Sequence, residues 1–430
     1  MTPAGAESTN TSTLKRVNPM WNEMNKLPKF IWVLLFGVFV TRGSFYMVWP
    51  YISIILIQKH HLSASEVGTF LSIAGIISVC LGLIVGVISD FIGRKLILLL
   101  SGILNIIAFC MLAVFDSVWG YLIAIGLSSI GRAMWEPTIS ALFGDIIHDK
   151  NKREFAFHIR YFAINIGSAI GPLTGVWLSI EGEPSNFFIT AFSYLIFLIA
   201  MCLCWMNAPQ EENIKSEKIH HSRQPPLREI FKSLWHDKLL LLIIISNIII
   251  LFIYGQQDST LIQYLTIENA DNLMSLVSMM VAANSFVTIA FQFIFMKKLA
   301  SLSIHLKMII GIVFFAFAQI LCAYNSVTMY WGWIAVAVTM SFGQTIIFPL
   351  MTIQIDNIAP AHLKGTYYGA AALNALGYVC APYIGGIMLD HWGGPAVFQI
   401  MSGLCGLVIL LFICLDKKQR ATIAVQPSQV

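Results

Sequence analysis

Four ionisable side chains stand inside stretches long and apolar enough to cross a lipid bilayer: Arg42, Arg132, Glu136 and Asp258. An ion at bilayer depth costs roughly 2.5–3.5 kcal/mol even on lenient scales, so such groups face water, a ligand or one another. Arg42 lies about a dozen residues into its stretch, near mid-depth at about 1.5 Å per residue. Arg132 and Glu136 are one helical turn apart and share a face. Two roles are open to these three. They can form a salt bridge bracing two helices, or they can line a cavity where the arginines bind an anionic group and Glu136 carries a proton. A bridge that opens on protonation would do both.

The neighbours favour the cavity. Tyr46 and Trp49 follow Arg42, and Trp135 precedes Glu136; aromatic faces suit guanidinium groups and a mostly apolar substrate. Asp258 comes with Gln256 and Gln257, and Asn165, Gln344 and Asn374 are further polar residues within apolar stretches. Asp258 could carry a proton, hold a substrate amine or cap a helix end. A carboxylate enclosed by protein binds its proton closer to neutral pH, which suits a proton carrier. Two arginines set against Glu136 and Asp258 leave no net charge, so a zwitterionic or amphiphilic small molecule fits better than a strongly cationic one. Asp145 and Asp356 end their stretches, where capping or contact with basic loops is expected.

Other chemistries are missing. No phosphate-binding Gly-rich loop with its lysine is present, so the chain is not expected to hydrolyse ATP. None of the ten histidines has metal-ligand spacing, and His60-His61 and His220-His221 fall in polar loops. The eight cysteines sit in or beside apolar runs, as packing thiols rather than disulfides. The expectation is a non-enzyme with no metal site and no cofactor. Its partners would be a small-molecule substrate, protons and the lipid bilayer, with no nucleic acid, and the chain would work as a monomer. Energy would come from an ion or substrate gradient.

Hydrophobic residues make up 57% of the chain and charged residues 11%, against about 25% charged in a soluble domain; the chain is therefore read as an integral, all-α membrane protein. Spans of about 20 apolar residues are expected at 30–57, 65–89, 96–115, 118–143, 157–180 and 185–206. Six more are expected at 239–264, 272–296, 306–324, 328–355, 367–389 and 395–415. They are numbered 1 to 12 below. The organisation is a 1–29 tail without a removable signal peptide, a 30–206 six-helix bundle and a 207–238 linker. A 239–415 six-helix bundle and a 416–430 tail complete it. With both termini in the cytoplasm, Lys59 alone of the 26 lysines and arginines falls outside, Arg42 and Arg132 lying within spans. Pro50 and Pro137 are expected to interrupt their helices beside a cavity.

The loop between spans 2 and 3 reads Gly86-Val-Ile-Ser-Asp90-Phe-Ile-Gly93-Arg94-Lys95. Gly86 permits close helix approach, Gly93 permits a turn, and Asp90, Arg94 and Lys95 can pair with one another or with a neighbouring helix end. This spacing resembles the corresponding loop of major facilitator superfamily transporters, although Phe91 stands where the family usually has a basic residue. Span 5 carries Gly167-x3-Gly171-Pro172-x2-Gly175, a small-residue stripe with a bend. It resembles, in part, a span 5 motif of antiporters in the same superfamily. With Arg42-x7-Pro50-Tyr51 and the 131–145 stretch, the likeness is to the twelve-helix drug:proton antiporter branch. The resemblance implies two six-helix bundles with one cavity between them, open to one side at a time. It implies proton-coupled export of a small drug or metabolite from a bacterial inner membrane, with Gly86, Asp90, Gly93, Arg94 and Lys95 and the span 5 residues Gly167, Gly171, Pro172 and Gly175 in gating. Proton-coupled uptake of a sugar, peptide or organic acid would use the same parts.

Overall fold

The computed structural model describes residues 27–147, 150–178, 183–206, 237–358, 367 and 370–425. The side chains of Asp90, Glu136, Asp145 and Asp356, with Gly86 and Pro137, lie outside the described residues, as do most of both tails and of the 207–238 linker. The elements are helical throughout, and among the described residues there is no strand. Span 1 is α1 (Lys29–Tyr46) and α2 (Trp49–Gln58). Spans 2 to 6 are α3 (Ala64–Ile92), α4 (Arg94–Val114), α5 (Val118–Ile146), α6 (Lys150–Trp177) and α7 (Pro184–Met206). Span 7 is α8 (Lys238–Asp258) and α9 (Thr260–Ile267), followed by α10 (Leu273–Lys298), α11 (Ile304–Tyr324) and α12 (Tyr330–Ile358). The last element, α13 (Ala375–Val425), bends at Gly393 into two legs. Nine segments among the described residues are long and apolar enough to cross a membrane, one of them holding both legs of α13. With α5 and α6, at 29 and 28 residues, this agrees with twelve crossings.

Helix starts follow from local chemistry. Ser63 and Glu66 form a reciprocal capping box on α3, and Asp237 accepts from the Leu239 and Leu240 amides at 3.0 Å. Between α3 and α4 the chain turns on Gly93 alone, at φ 99° and ψ 138°, where a β-carbon is strained. Pro137 does not interrupt its helix: α5 runs unbroken through position 137. Breaks occur instead at Met47–Val48, just before Pro50, and at Ser259, where nothing in the sequence advertises one. All eight cysteines are free, but only Cys322 and Cys405 are buried and Cys80 and Cys414 are exposed.

The two halves are cored differently. In the first, one apolar cluster includes Ile31, Leu34, Leu98, Trp135 and Phe143, and a second includes Phe45, Phe109, Ile125 and Tyr194. Between them in sequence on α1, α4, α5 and α7 stand buried hydroxyls and amides. Ser44 bonds Ser193 at 2.6 Å, Thr190 donates to the Ser44 carbonyl at 2.9 Å, and Ser101 donates to the Gly131 carbonyl at 2.7 Å. The second half has one continuous core from Leu240 to Phe412, which also takes in Tyr51, Ile54 and Ala64 of the first.

The outer surface is apolar, with Phe36, Ile103, Phe192, Phe286, Phe293 and Leu410 all exposed, as suits a lipid-facing wall. One end of the bundle carries residues 59–63, 115–117 and 268–272; it is called the far end here. There Trp119, Trp177, Tyr324, Trp331 and Trp392 are exposed at helix termini. Such a ring of amphipathic rings marks a membrane–water interface.

Candidate functional site

Arg132 owes its place to the helix beneath it. A β-carbon at Gly131 would run into the Asn105 amide, so α5 lies close against α4 there. The next residue is thereby turned toward span 1, where the Arg132 guanidinium carbon lies 4.8 Å from the Phe45 ring centre on α1 and 4.5 Å from that of Trp49 on α2. Those two rings stack on each other at 5.2 Å. The Arg132 Nε atom is buried and has no hydrogen-bond partner among the described residues. The aromatic faces offset part of the desolvation of this ion and leave its donors for something else.

Across from it, Asp258 ends α8 at the Ser259 break. Its Oδ2 accepts from the Tyr378 hydroxyl at 3.1 Å, and Tyr254 stacks on Tyr378 at 6.2 Å while meeting Phe348 edge-on at 4.9 Å. A cavity between the halves joins the two walls. The first half supplies Trp49, Leu71, Gly75, Ser129 and Arg132, and the second supplies Gly255, Asp258, Ser259, Tyr378, Val379 and Pro382. The Tyr46 phenol lies within the fields of Arg42, Arg132 and Asp258 together. The site is therefore a water-reachable chamber with a cation on one wall and a carboxylate on the other, ringed by tyrosine and tryptophan.

The remaining sequence candidates fall in several places. Arg42 lies close enough for its charge to act on Arg132 and Tyr194. Trp135 is packed in the first-half core, edge-on to Phe197 at 5.1 Å, and not on the chamber wall. Gln256 is fully buried, donating to the Ala381 carbonyl at 3.3 Å and accepting from Thr260 at 2.6 Å, so it ties α8 to α13. Asn165 donates to the Tyr161 carbonyl at 2.9 Å, Gln344 accepts from Asn284 at 2.6 Å, and Asn374 sits in a short 3-10 turn before α13. Glu136, as a side chain, lies outside the described residues.

Of the gating candidates, Arg94 donates to the Ser89 hydroxyl at 2.6 Å, and the Lys95 ammonium rests 4.8 Å over the Trp205 ring. Gly86 and the Asp90 side chain are outside the description. A β-carbon at Gly171 would strike the Gly43 carbonyl, and one at Gly167 would stand 2.8 Å from the Phe39 carbonyl oxygen. The stripe thus seats α6 against α1. Pro172, next to it, accepts from Ser278 of the other half through its carbonyl at 3.3 Å. Gly175 is looser, 3.9 Å from its nearest neighbours. Tyr254, Tyr378 and Ser129 were not singled out from sequence, because a tyrosine or serine in an apolar run reads as core.

The family model described as Major Facilitator Superfamily matches residues 34–375, and the chain belongs to that family. It is a multi-pass membrane transporter and not an enzyme. It is similar to the MFS-type transporter YqjV of Bacillus subtilis, 27% identical over 94% of this chain and 97% of that one. A Na(+), Li(+), K(+)/H(+) antiporter of Planococcus maritimus is 24% identical over 94% of this chain and 99% of its own length. The multidrug resistance protein MdtH of Yersinia pestis is 27% identical over 34% of this chain and 36% of its own. Among solved structures, a POT family transporter in complex with 5-aminolevulinic acid superposes with a TM-score of 0.75 at 16% identity. That match covers 91% of this chain and 96% of the other, and it shares the fold.

Proposed function

We propose that this transporter is a secondary carrier of the bacterial inner membrane that exports a small amphiphilic or zwitterionic molecule in exchange for protons. The reading rests above all on Asp258, a carboxylate held by Tyr378 in a chamber whose opposite wall carries Arg132. Substrate and proton compete for the charges of one chamber. Asp258, or Glu136 one turn from Arg132, takes up a proton from one side and gives it up on the other, while Arg42, Arg132 and the surrounding rings hold the substrate. The 30–206 and 239–415 bundles rock about the chamber, the 207–238 linker joins them on the cytoplasmic side, and both tails lie there too. Asp90, Arg94 and Lys95 hold that side shut when the far end opens. An antiporter and a multidrug resistance protein among the relatives support export.

The test begins with a thermal-shift screen of dyes, dipeptides, sugars and chelators on the purified protein. The strongest binder is then followed in inverted membrane vesicles under an imposed pH gradient. An exporter draws it in against its gradient when the lumen is acid; accumulation under the opposite gradient assigns uptake instead. Asp258→Asn or Glu136→Gln should abolish gradient-driven accumulation while leaving exchange of labelled for unlabelled substrate. Wild-type accumulation in both variants would remove the coupling assignment. Asp90→Asn should slow turnover with binding unchanged.

A further inference from the structure

The far end of the bundle holds a contact outside the chamber that neither the proton nor the substrate reading uses. A helix begins with four amide N–H groups that have no partner within it, and on α3 all four can be followed. The Ser63 amide donates to Glu66 Oε2 at 2.9 Å, and the Glu66 amide donates to Ser63 Oγ at 3.2 Å. The two between them donate across the molecule. The Ala64 amide reaches Asp390 Oδ1 at 3.2 Å, and the Ser65 amide reaches Asp390 Oδ2 at 2.9 Å. Asp390 stands near the end of the first leg of α13, in the other half. Half of the cap of α3 is therefore supplied by a residue that leaves whenever the halves part at this end.

The surface below that cap is built for separation. A β-carbon at Gly386 would meet the Ala64 carbonyl, and one at Gly68 would meet the Pro382 carbonyl, so the two helices touch backbone to backbone. Only one further hydrogen bond crosses between α3 and α13 among the described residues, from the Tyr383 amide to Ser72 Oγ at 3.0 Å. Small residues interdigitate little, so little has to be unpacked for the seam to slide or open. The charge-assisted pair at Asp390 is the strongest polar contact along it, and the positive end of the α3 dipole favours a carboxylate there.

We infer that Asp390 is the latch of the far-end gate: its carboxylate, by completing the α3 cap from the opposite half, sets how often the chamber opens on that side. This requires the two-halved architecture but neither the proton coupling nor the substrate assigned above, so either can fail without it. The diagnostic amide is Tyr383, which is bonded across the seam about two helical turns from the altered residue.

Amide hydrogen exchange on the full chain in lipid nanodiscs reads it without a substrate. Asp390→Ala should speed exchange at Tyr383 and across 68–75 about tenfold, as expected for losing a hydrogen bond to a charged group. Peptides from 94–114 should not change. Ser63→Ala removes the Ser63 Oγ acceptor from the same cap without touching the seam, and should loosen only the first turn of α3. Asp390→Asn keeps the shape and one acceptor oxygen and should fall between wild type and Asp390→Ala. It also stands in for Asp390→Ala if that variant does not fold. Faster exchange confined to residues 64–66 in the Asp390 variants, or the same Tyr383 response in Ser63→Ala, would overturn the latch.

Discussion

Arg132 carries charge, a flat plane and five donors into a place where hydrocarbon would surround a wrongly chosen residue. The plane matters as much as the charge, since it lies against Phe45 and Trp49. Arg132→Lys keeps the charge and loses the stacking. It is expected to weaken binding of the screened ligand by roughly 2- to 30-fold, the equivalent of a partly desolvated cation–π contact of about 0.5–2 kcal/mol. A titration of thermal shift against ligand concentration measures it, and an unchanged affinity would mean that the rings serve packing alone. This residue was legible in the sequence because an arginine amid Ile, Leu and Gly is an anomaly with few explanations. Tyr378 was not. A tyrosine satisfies an apolar pattern and a polar site equally well, and only the fold shows that its hydroxyl meets Asp258. Trp135 erred the other way: adjacency to Glu136 in sequence suggested a shared site, but successive residues on a helix point about 100° apart.

At the level of helices, the glycines divide into those that seat a neighbour and those that do not. Gly171 abuts the Gly43 carbonyl, whereas nothing lies within 4 Å of a β-carbon placed on Gly126. Gly171→Ala is therefore expected to cost about 1–3 kcal/mol by overpacking. Gly126→Ala should be neutral or stabilise by up to about 1 kcal/mol through reduced chain freedom. Unfolding midpoints in detergent separate the two, and equal shifts would refute the close approach of α6 to α1. Gly93→Ala faces a different penalty, about 1–3 kcal/mol, because its backbone occupies a region open mainly to glycine. The small-residue stripe and the turn could be read from spacing. The partner of the stripe could not, since Gly43 sits in a stretch with no small-residue repeat. Nor could the Ser259 break: no proline or glycine marks it, and it rests on tertiary contacts such as the packing of α9 against α2. Proline at 137 gave the opposite error, as a helix flanked by others keeps its course where an isolated one would bend.

Over the whole molecule, the placement of lysine and arginine along the chain gives a direction, while the exposed tryptophans mark where the membrane ends. In sequence order nearly all lysines and arginines belong to the tails and to the loops opposite the far end, and Trp119, Trp177, Trp331 and Trp392 are exposed at the far end. A fluorescent protein that matures only in the cytoplasm should therefore glow when fused to either terminus. A phosphatase active only outside should work when inserted after Asp116. Opposite signals would invert the topology, and with it which gate Asp390 serves. Membrane spans were the most legible layer of all, because bilayer thickness leaves helices few choices of length. How the halves meet was the least legible, since backbone contacts through glycine leave almost no compositional trace.

The split core of the first half also bears on how the chain is made. An α5 delivered alone from the ribosome would present Arg132 to acyl chains, at roughly 2.5–3.5 kcal/mol. Ser128 on the same helix reaches Asn105 of α4 at 3.4 Å, and the Gly131 carbonyl accepts from Ser101 of α4 at 2.7 Å. The second half sets a like condition between α10 and α12, where Asn284 donates to Ser341 and Gln344 at 2.8 and 2.6 Å. The polar layer of the first half is complete only once α7 brings Ser193 and Thr190 to Ser44 of α1, so the last helix of that half to be synthesised closes it.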